Sequence, residues 1–510
     1  MPPPLEWWLA ILPIAAAAFA LRVGVHVGRS PGGVDTWYYL AYADAFRRRP
    51  SLDVRLPQYL LQDERQAYPP VFPSLLGLLP RRLLLRFYWA ISPAVDCVHL
   101  MLLAYVAHRL TASLTVAALA AGAYAVTPQL VSEVRSLTPR PFGALLASLA
   151  LLVLLKAVAV PSAGACWLLA AALCGTLLLL ASAAMTAAWL VTCAVFTLVF
   201  RDWRPAAVAA SAFALALIVS GGHFARVLAN YAHAVRFWAR NRRCLGGHPL
   251  LDSPLYGDPL RRQAAPPARP GFLGRTRFTE LLRLGGENPF LLALPFASYG
   301  LFPYGPWLYT WAISLAALSL VATLVPPLST FGPGRSYMRA AVFPTAYTLA
   351  FAIGSPQGLL RPVGVATLMA LAASLGGILF FYAYVRGRPT EQTTSTPEAL
   401  RAATEALASR PNGAVLVLPY MYADYVLYHS GKPVLWGGHS GNHDRLEALF
   451  PVIREDLRET FARHGVRYAL LDRAYVGDWR PPLGELREVC SADSLVLLEV
   501  EAGSVAPTER

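Results

Sequence analysis

The chain has 510 residues, 56% of them hydrophobic and 15% charged, with a net charge of +14. A water-soluble protein of this length would carry roughly a quarter charged residues, so the composition argues against a soluble globular enzyme and for an integral membrane protein. The positive charge is nearly all arginine, with Lys156 and Lys432 the only lysines; its scatter among apolar segments argues against a nucleic-acid binder, and the bias reads either as genome composition or a hot habitat or as guanidinium forks for phosphates and lipid headgroups.

The first apolar run, 5–25, is long and has no basic residue before it, which predicts a permanent first helix and not a cleavable signal. A polar stretch follows over 26–86. Within it, a helix over 37–46 would place Trp37, Leu40, Ala41 and Ala45 on one face. Residues 56–61 form a short aliphatic run. Tyr68-Pro69-Pro70 opens a segment over 71–79, proline being well tolerated in a first helical turn. Spans are predicted at 87–107 and 111–128, then, after a polar connection over 128–141, four more within 142–225. A second polar stretch, 226–288, is rich in Arg, Gly and Pro and reads as irregular around 263–270. Spans at 289–303, 306–326, 339–354 and 363–385 bring the total to about eleven, and the membrane part closes at 388.

Beyond a polar linker the composition shifts. Short β-type runs at 414–418, 468–472 and 494–500, with 433–436 short and extended, alternate with helical patterns at 422–429 and 445–464. The predicted fold class is therefore a polytopic α-helical membrane protein of about 11 transmembrane helices, residues 1–388, with a small C-terminal soluble α/β domain over 389–510. No Gly-rich phosphate loop follows a strand, and the repeat found in many secondary transporters is not evident.

Gly33-Val34-Asp35-Thr36-Trp37-Tyr38-Tyr39 is the strongest local signal. Asp35 is either a helix N-cap beside an interfacial aromatic belt or a general base in a polar pocket at the membrane boundary. Asp96 and His99 lie one turn apart within the second span, where charge is costly and marks either function or a mutual bond between helices. Cys97, Cys166, Cys174 and Cys193 read as small core residues of spans, and Cys244 and Cys490 show no metal-ligand spacing. Asp63-Glu64 reads as solvated surface. His439 and His443 lack a third zinc ligand beside them, and Arg236, Arg240, Arg242 and Arg243 read as headgroup contacts or solvated charge.

Asp35 with its aromatics after the first span, followed by Tyr68-Pro69-Pro70-Val71-Phe72-Pro73 before the second, resembles the first large loop of the GT-C glycosyltransferases. These multispanning enzymes use polyprenyl-phosphate-linked sugars and include protein mannosyltransferases, the aminoarabinose transferase group and oligosaccharyltransferase catalytic subunits. Residues 128–143, with Glu133 and Thr138-Pro139-Arg140-Pro141, resemble the second loop, and Gly334-Arg335-Ser336-Tyr337-Met338-Arg339 resembles an arginine-tyrosine segment of prokaryotic members. A soluble tail is a further shared feature. The resemblance implies Asp35 and Glu133 as catalytic acids, with Tyr38, Tyr68, Arg135, Arg140, Arg335, Tyr337 and Arg339 binding substrate. It implies inverting transfer of a hexose or pentose from a polyprenyl-phosphate-linked sugar to a protein, lipid or glycan acceptor, with the large loops and tail on the outer face of the membrane. Glu133 either shares a divalent cation (Mg2+ or Mn2+) with Asp35 or pairs with Arg135. The Trp-Trp-Asp-Tyr-Gly motif of oligosaccharyltransferases is absent, and Met185-Thr186 stands at a turn where many relatives carry a histidine. Two other readings stay open: a transporter or lipid flippase, motivated by Asp96 and the Gly/Pro breaks, and a non-catalytic GT-C-like protein that binds a lipid-linked glycan.

Overall fold

The computed structural model describes residues 3–24, 34–62, 64–134, 136–160, 164–241, 275–296, 304–325, 328, 334–354, 361–387, 397–437, 443–447, 449, 456–477 and 479–500. Among these, six helices are long and apolar enough to cross a bilayer. They are Leu5–Val23 (α1), Arg81–Thr111 (α4), Arg140–Ala159 (α7), Ala183–Phe200 (α9), Gly305–Leu324 (α13) and Arg361–Gly387 (α15). Leu114–Ala125 (α5) and Gly164–Leu179 (α8) are apolar but only 12 and 16 residues long, and Arg335–Gly354 (α14) carries two arginines in its first turns. The chain is a multi-pass helical membrane protein.

Of the span expected over 289–303, the described part is a 3-10 helix, Pro289–Phe296, with Pro295 inside it, and residues 297–303 lie outside the described residues. Arg204–Val219 (α10) is followed at once by His223–Arg240 (α11), bent away by 113°. The bend is made at Gly221 and Gly222, with φ of 55° and 83°, values that only glycine adopts without strain.

One apolar cluster runs through α1, α4, α5, α7–α10, α13 and α14. Lipid supplies no hydrophobic drive between helices, so small residues that allow close approach supply packing instead. Gly175 is such a place, since a Cβ there would lie 2.6 Å from the Trp189 ring.

Two short helices, Val34–Arg48 (α2) and Val71–Leu78 (α3), together with Pro128–Glu133 (α6), form the loop layer at one end of the bundle. The predicted face of α2 is buried, with Trp37, Leu40 and Ala41 at 6% exposure or less. The tail packs on this layer. Its strands Ala414–Leu418 (β1), Val466–Asp472 (β2), Leu486–Ala492 (β3) and Leu495–Val500 (β4) form one sheet in the order β1-β2-β4-β3, parallel between β1 and β2 and antiparallel elsewhere. Strand β3 was not expected from sequence. The helix expected over 445–464 is described only as His443–Leu446 and Leu457–Arg463, the latter capped by Asp456.

The outer edge of β1 is lined by residues 433–435 of the tail, and the first loop pairs with that segment in turn. Val434 bridges to both Val415 and Tyr59. The N–H groups of Leu60 and Leu61 donate to the carbonyls of Val434 (3.0 Å) and Leu435 (2.8 Å). The aliphatic run at 56–61 is thus a borrowed edge strand, which removes an open sheet edge. Trp37 stacks edge-on against Tyr425 (5.2 Å) and His429 (4.5 Å) of Ala423–Ser430 (α17). The Tyr59 hydroxyl donates to Asp424 Oδ1 at 2.5 Å. The tail therefore sits on the same side of the bundle as the Asp35 loop.

A side chain at Gly437 would run into the Tyr59 ring and the Asp424 carboxylate. Gly437→Val should cost about 1–3 kcal/mol and raise hydrogen exchange at the Leu60, Leu61 and Val434 amides roughly tenfold, leaving α4 and α7 unchanged. Parent-like exchange at those amides would show that the seam does not hold the tail in place.

Candidate functional site

Three hydrogen bonds bring the two acidic loops together. The Thr36 hydroxyl accepts from Leu137 N–H at 3.1 Å. The Ser92 hydroxyl, on α4, accepts from Thr138 N–H at 3.0 Å and donates to its carbonyl at 3.3 Å. Residues 136–139 are thereby fixed between α2 and α4, and α7 begins at Arg140. A cation at a helix N-terminus meets the positive end of the dipole, and carboxylates offset that here. Glu133 Oε1 lies 3.6 Å from Arg140 Nη1, and the charge of Asp35, in the first turn of α2, acts on the same guanidinium. Arg140 keeps 39% of its side chain accessible.

Asp35 is half-buried in a wall of phenols. The Tyr39 and Tyr68 hydroxyls bond to each other at 2.5 Å. Burial, then the neighbouring phenol and the Asp35 charge, hold the Tyr39 phenol far above its ordinary range. Burial raises Tyr68 likewise, so both stay neutral donors. The Asp35 field also reaches Tyr420, which belongs to the tail.

Behind this surface lies a buried charge cluster. Asp96 of α4 is wholly buried. It accepts from Arg22 Nε of α1 at 2.5 Å, from the Tyr124 hydroxyl of α5 at 2.9 Å, and from Arg339 of α14. Arg339 Nη1 continues to Glu133 Oε2 at 3.0 Å. Gln129 donates to Glu133 Oε1 (3.3 Å) and to the Arg335 carbonyl (2.6 Å). His99 meets Asp96 only through Tyr124, whose hydroxyl lies 3.0 Å from Nδ1, and its Nε2 bonds Ser148 at 2.9 Å.

Neither a family model nor a curated protein matches the sequence. Solved structures match the fold over nearly its whole length. The oligosaccharyltransferase of Archaeoglobus fulgidus, tethered to an acceptor peptide, superposes with a TM-score of 0.59 at 13% identity, covering 92% of this chain and 70% of that one. A zinc- and sulfate-bound form of that enzyme gives 0.55 at 13% identity, covering 91% of this chain and 68% of the other. ArnT of Cupriavidus metallidurans in the apo state gives 0.56 at 16% identity, covering 98% and 99%, and its undecaprenyl-phosphate complex gives 0.54 at 14%, covering 99% and 100%.

The chain has the GT-C fold.

Within this GT-C fold the expected site residues separate into two groups. Asp35, Tyr68, Glu133, Arg140 and Arg335 stand at the loop end of the bundle with partial exposure. Tyr38 and Arg339 are closed off. The Tyr38 hydroxyl donates to Gln66 at 3.0 Å within the loop core, and Arg339 is spent on Asp96 and Glu133 with no exposed surface. Tyr337 packs into the main apolar cluster. Arg135, Asp63, Cys244, His439, Arg242 and Arg243 lie outside the described residues. A divalent cation shared by Asp35 and Glu133 does not fit this donor set, since both Glu133 oxygens already face arginine or amide N–H groups. No cluster of three or more His, Cys, Asp and Glu able to hold a metal occurs among the described residues.

Sequence reasoning missed Arg22, Gln129, Tyr420 and Glu287. Arg22 had a signal, being a lone charge in the last turn of the first apolar run. Glu287 closes Arg275–Glu287 (α12). Burial pushes its carboxyl up to about 7, with the Glu133 charge adding and Arg335 and Arg283 opposing.

Removing Asp96 would leave the buried Arg22 with backbone carbonyls alone and Arg339 with Glu133 alone, so Asp96→Ala should destabilise the protein by about 3–5 kcal/mol. A thermal melt in detergent checks this, and a shift of less than a few degrees would refute it. For Glu287 the folded state keeps its proton to about pH 7, whereas the ordinary value is 4.5. The unfolded chain thus releases its proton first, and stability falls as pH rises through that window, by about 3 kcal/mol in all. Glu287→Gln should melt higher than the parent at pH 8 and equal to it at pH 4. Equal melts at pH 8 would contradict the assignment.

Proposed function

We propose that the protein is a membrane glycosyltransferase that moves a sugar from a polyprenyl-phosphate donor to an acceptor. The observation that carries this reading is one partly exposed arginine at the loop end of a GT-C fold that pairs with Glu133 and feels the charge of Asp35, from a separate loop. The likeness to ArnT bound to undecaprenyl phosphate, and to an oligosaccharyltransferase tethered to an acceptor peptide, supports lipid-linked donor and acceptor as ligand classes.

In this mechanism Asp35 accepts the proton of the attacking acceptor group as its bond to the sugar C1 forms. The bond between C1 and the phosphate oxygen breaks on the opposite face, so the anomeric centre inverts. The electron pair leaves on the phosphate, where Arg140 and Arg335 balance the charge. Both stand at the starts of helices α7 and α14, where the positive end of the dipole favours an anion. Arg140 takes the place a cation would hold between the acids. Glu133, gripped by Arg339 and Gln129, positions Arg140. The loop layer and tail face the outside, where the acceptor arrives.

The engagement of both Glu133 oxygens also favours a second reading, a non-catalytic binder of lipid-linked glycan. One experiment separates the two. Protein in proteoliposomes is given labelled polyprenyl-phosphate sugars and candidate acceptors. Asp35→Asn should lower turnover by about 10²-fold or more while donor binding persists. A parent that binds donor without forming product would establish the binder, and flux of donor across the bilayer without product would establish a transporter.

A further inference from the structure

Where α6 meets the end of α12, four polar side-chain atoms lack a partner. They are Gln129 Oε1, Glu287 Oε2, and both Oδ1 and Nδ2 of Asn288, all buried. Gln129 and Asn288 are each only 1% exposed. Buried polar groups are almost always hydrogen-bonded, so several orphans in one place call for a ligand that completes them. The three residues are neighbours. Glu287 ends α12 and Asn288 follows it, α12 packs against α6, and the Glu287 charge reaches Glu133 and Arg335. Gln129 is tied by its amide nitrogen to the Glu133 carboxylate and the Arg335 carbonyl.

The orphan set is rich in acceptors, with three oxygens to one amide nitrogen. A phosphate, which brings mainly lone pairs, would be repelled there. A ring of hydroxyls, each able to give and accept one bond, matches it. The neighbouring arginines supply the complementary half, an anion site. A ligand that suits both halves carries a phosphate at one end and a polyol at the other.

We propose that Gln129, Glu287 and Asn288 bind the hydroxyls of the donor sugar and set which sugar is accepted, while the arginines hold the phosphate. This rests on the glycosyltransferase reading above. Near neutral pH Glu287 exchanges its proton readily, so it can donate to one hydroxyl geometry and accept from another.

The test uses the full chain in lipid nanodiscs and four probes: bare polyprenyl phosphate, and polyprenyl phosphate carrying mannose, glucose or arabinose. The parent should bind at least one sugar-bearing probe about tenfold more tightly than the bare lipid. Asn288→Ala should abolish that increment and leave bare-lipid affinity unchanged, which also shows that the variant is folded. Glu287→Gln, a milder change, should alter the ranking among the three sugars. The proposal is overturned if the parent shows no increment, if Asn288→Ala and Glu287→Gln both keep it (water alone filling the pocket), or if bare and sugar-bearing probes weaken together. These are binding measurements, so they are independent of turnover. Selective sugar binding without turnover keeps this inference and removes catalysis, whereas turnover with unchanged selectivity in Asn288→Ala removes this inference alone.

Discussion

Asp96 lies inside the helix bundle with no exposed surface and receives a guanidinium from each of two helices, Arg22 on α1 and Arg339 on α14, and a hydroxyl from a third, Tyr124 on α5. A buried carboxylate is tolerated only if paired and hydrogen-bonded, and a buried guanidinium likewise. Each charge here compels the next. Arg339 has nitrogen to spare and takes Glu133; Glu133 has an oxygen to spare and faces Arg140; Arg140 feels Asp35. Three arginines and three acids alternate from the bundle interior to its surface. The innermost contact thus holds Glu133 through Arg339, and the charge of the outermost acid acts on the arginine that Glu133 faces.

The same alternation explains an arrangement that helix physics disfavours. Arg140, Arg335 and Arg339 all stand in the first turns of helices, where the dipole repels cations. Carboxylates contributed by other elements offset that repulsion for Arg140 and Arg339. What remains is a concentration of guanidinium groups and helix N-termini at one end of the bundle. Two of the three arginines, Arg140 and Arg335, retain accessible surface there. Such an environment is suited to a phosphate held at the membrane boundary.

Much of the architecture was legible in the apolar runs, because a bilayer imposes a minimum length and demands closed backbone hydrogen bonding. The α2 face, the short strand β1 and the helix after Pro69-Pro70 followed from period and proline placement. What could not be read is pairing at a distance. The run at 56–61 gave its character but not its partner, since nothing local in Leu56–Leu61 names Val434. Asp96 announced itself as an intramembrane charge, yet its partners lie 74 and 243 positions away in the chain. Tyr337 and Tyr38 belong to motifs that look functional in sequence, and only the structure shows that both are buried. Glu287 was invisible because a carboxylate at the end of a polar stretch is ordinary until burial changes its chemistry.

The tail is drawn into the chemistry by the way its sheet is completed. The sheet edge at β1 is lined by residues 433–435 of the tail, and residues 58–61 of the very loop that carries Asp35 close the open side of that segment. Closing the edge brings Tyr420 within the field of Asp35 and sets Trp37, two residues beyond Asp35, between Tyr88 and the aromatic face of α17. Docking of the tail and shaping of the acidic pocket are therefore one packing event. A change that frees the seam removes a wall of the site as well as a domain contact. The tail thereby bears on the surroundings of Asp35 through Trp37 and Tyr420.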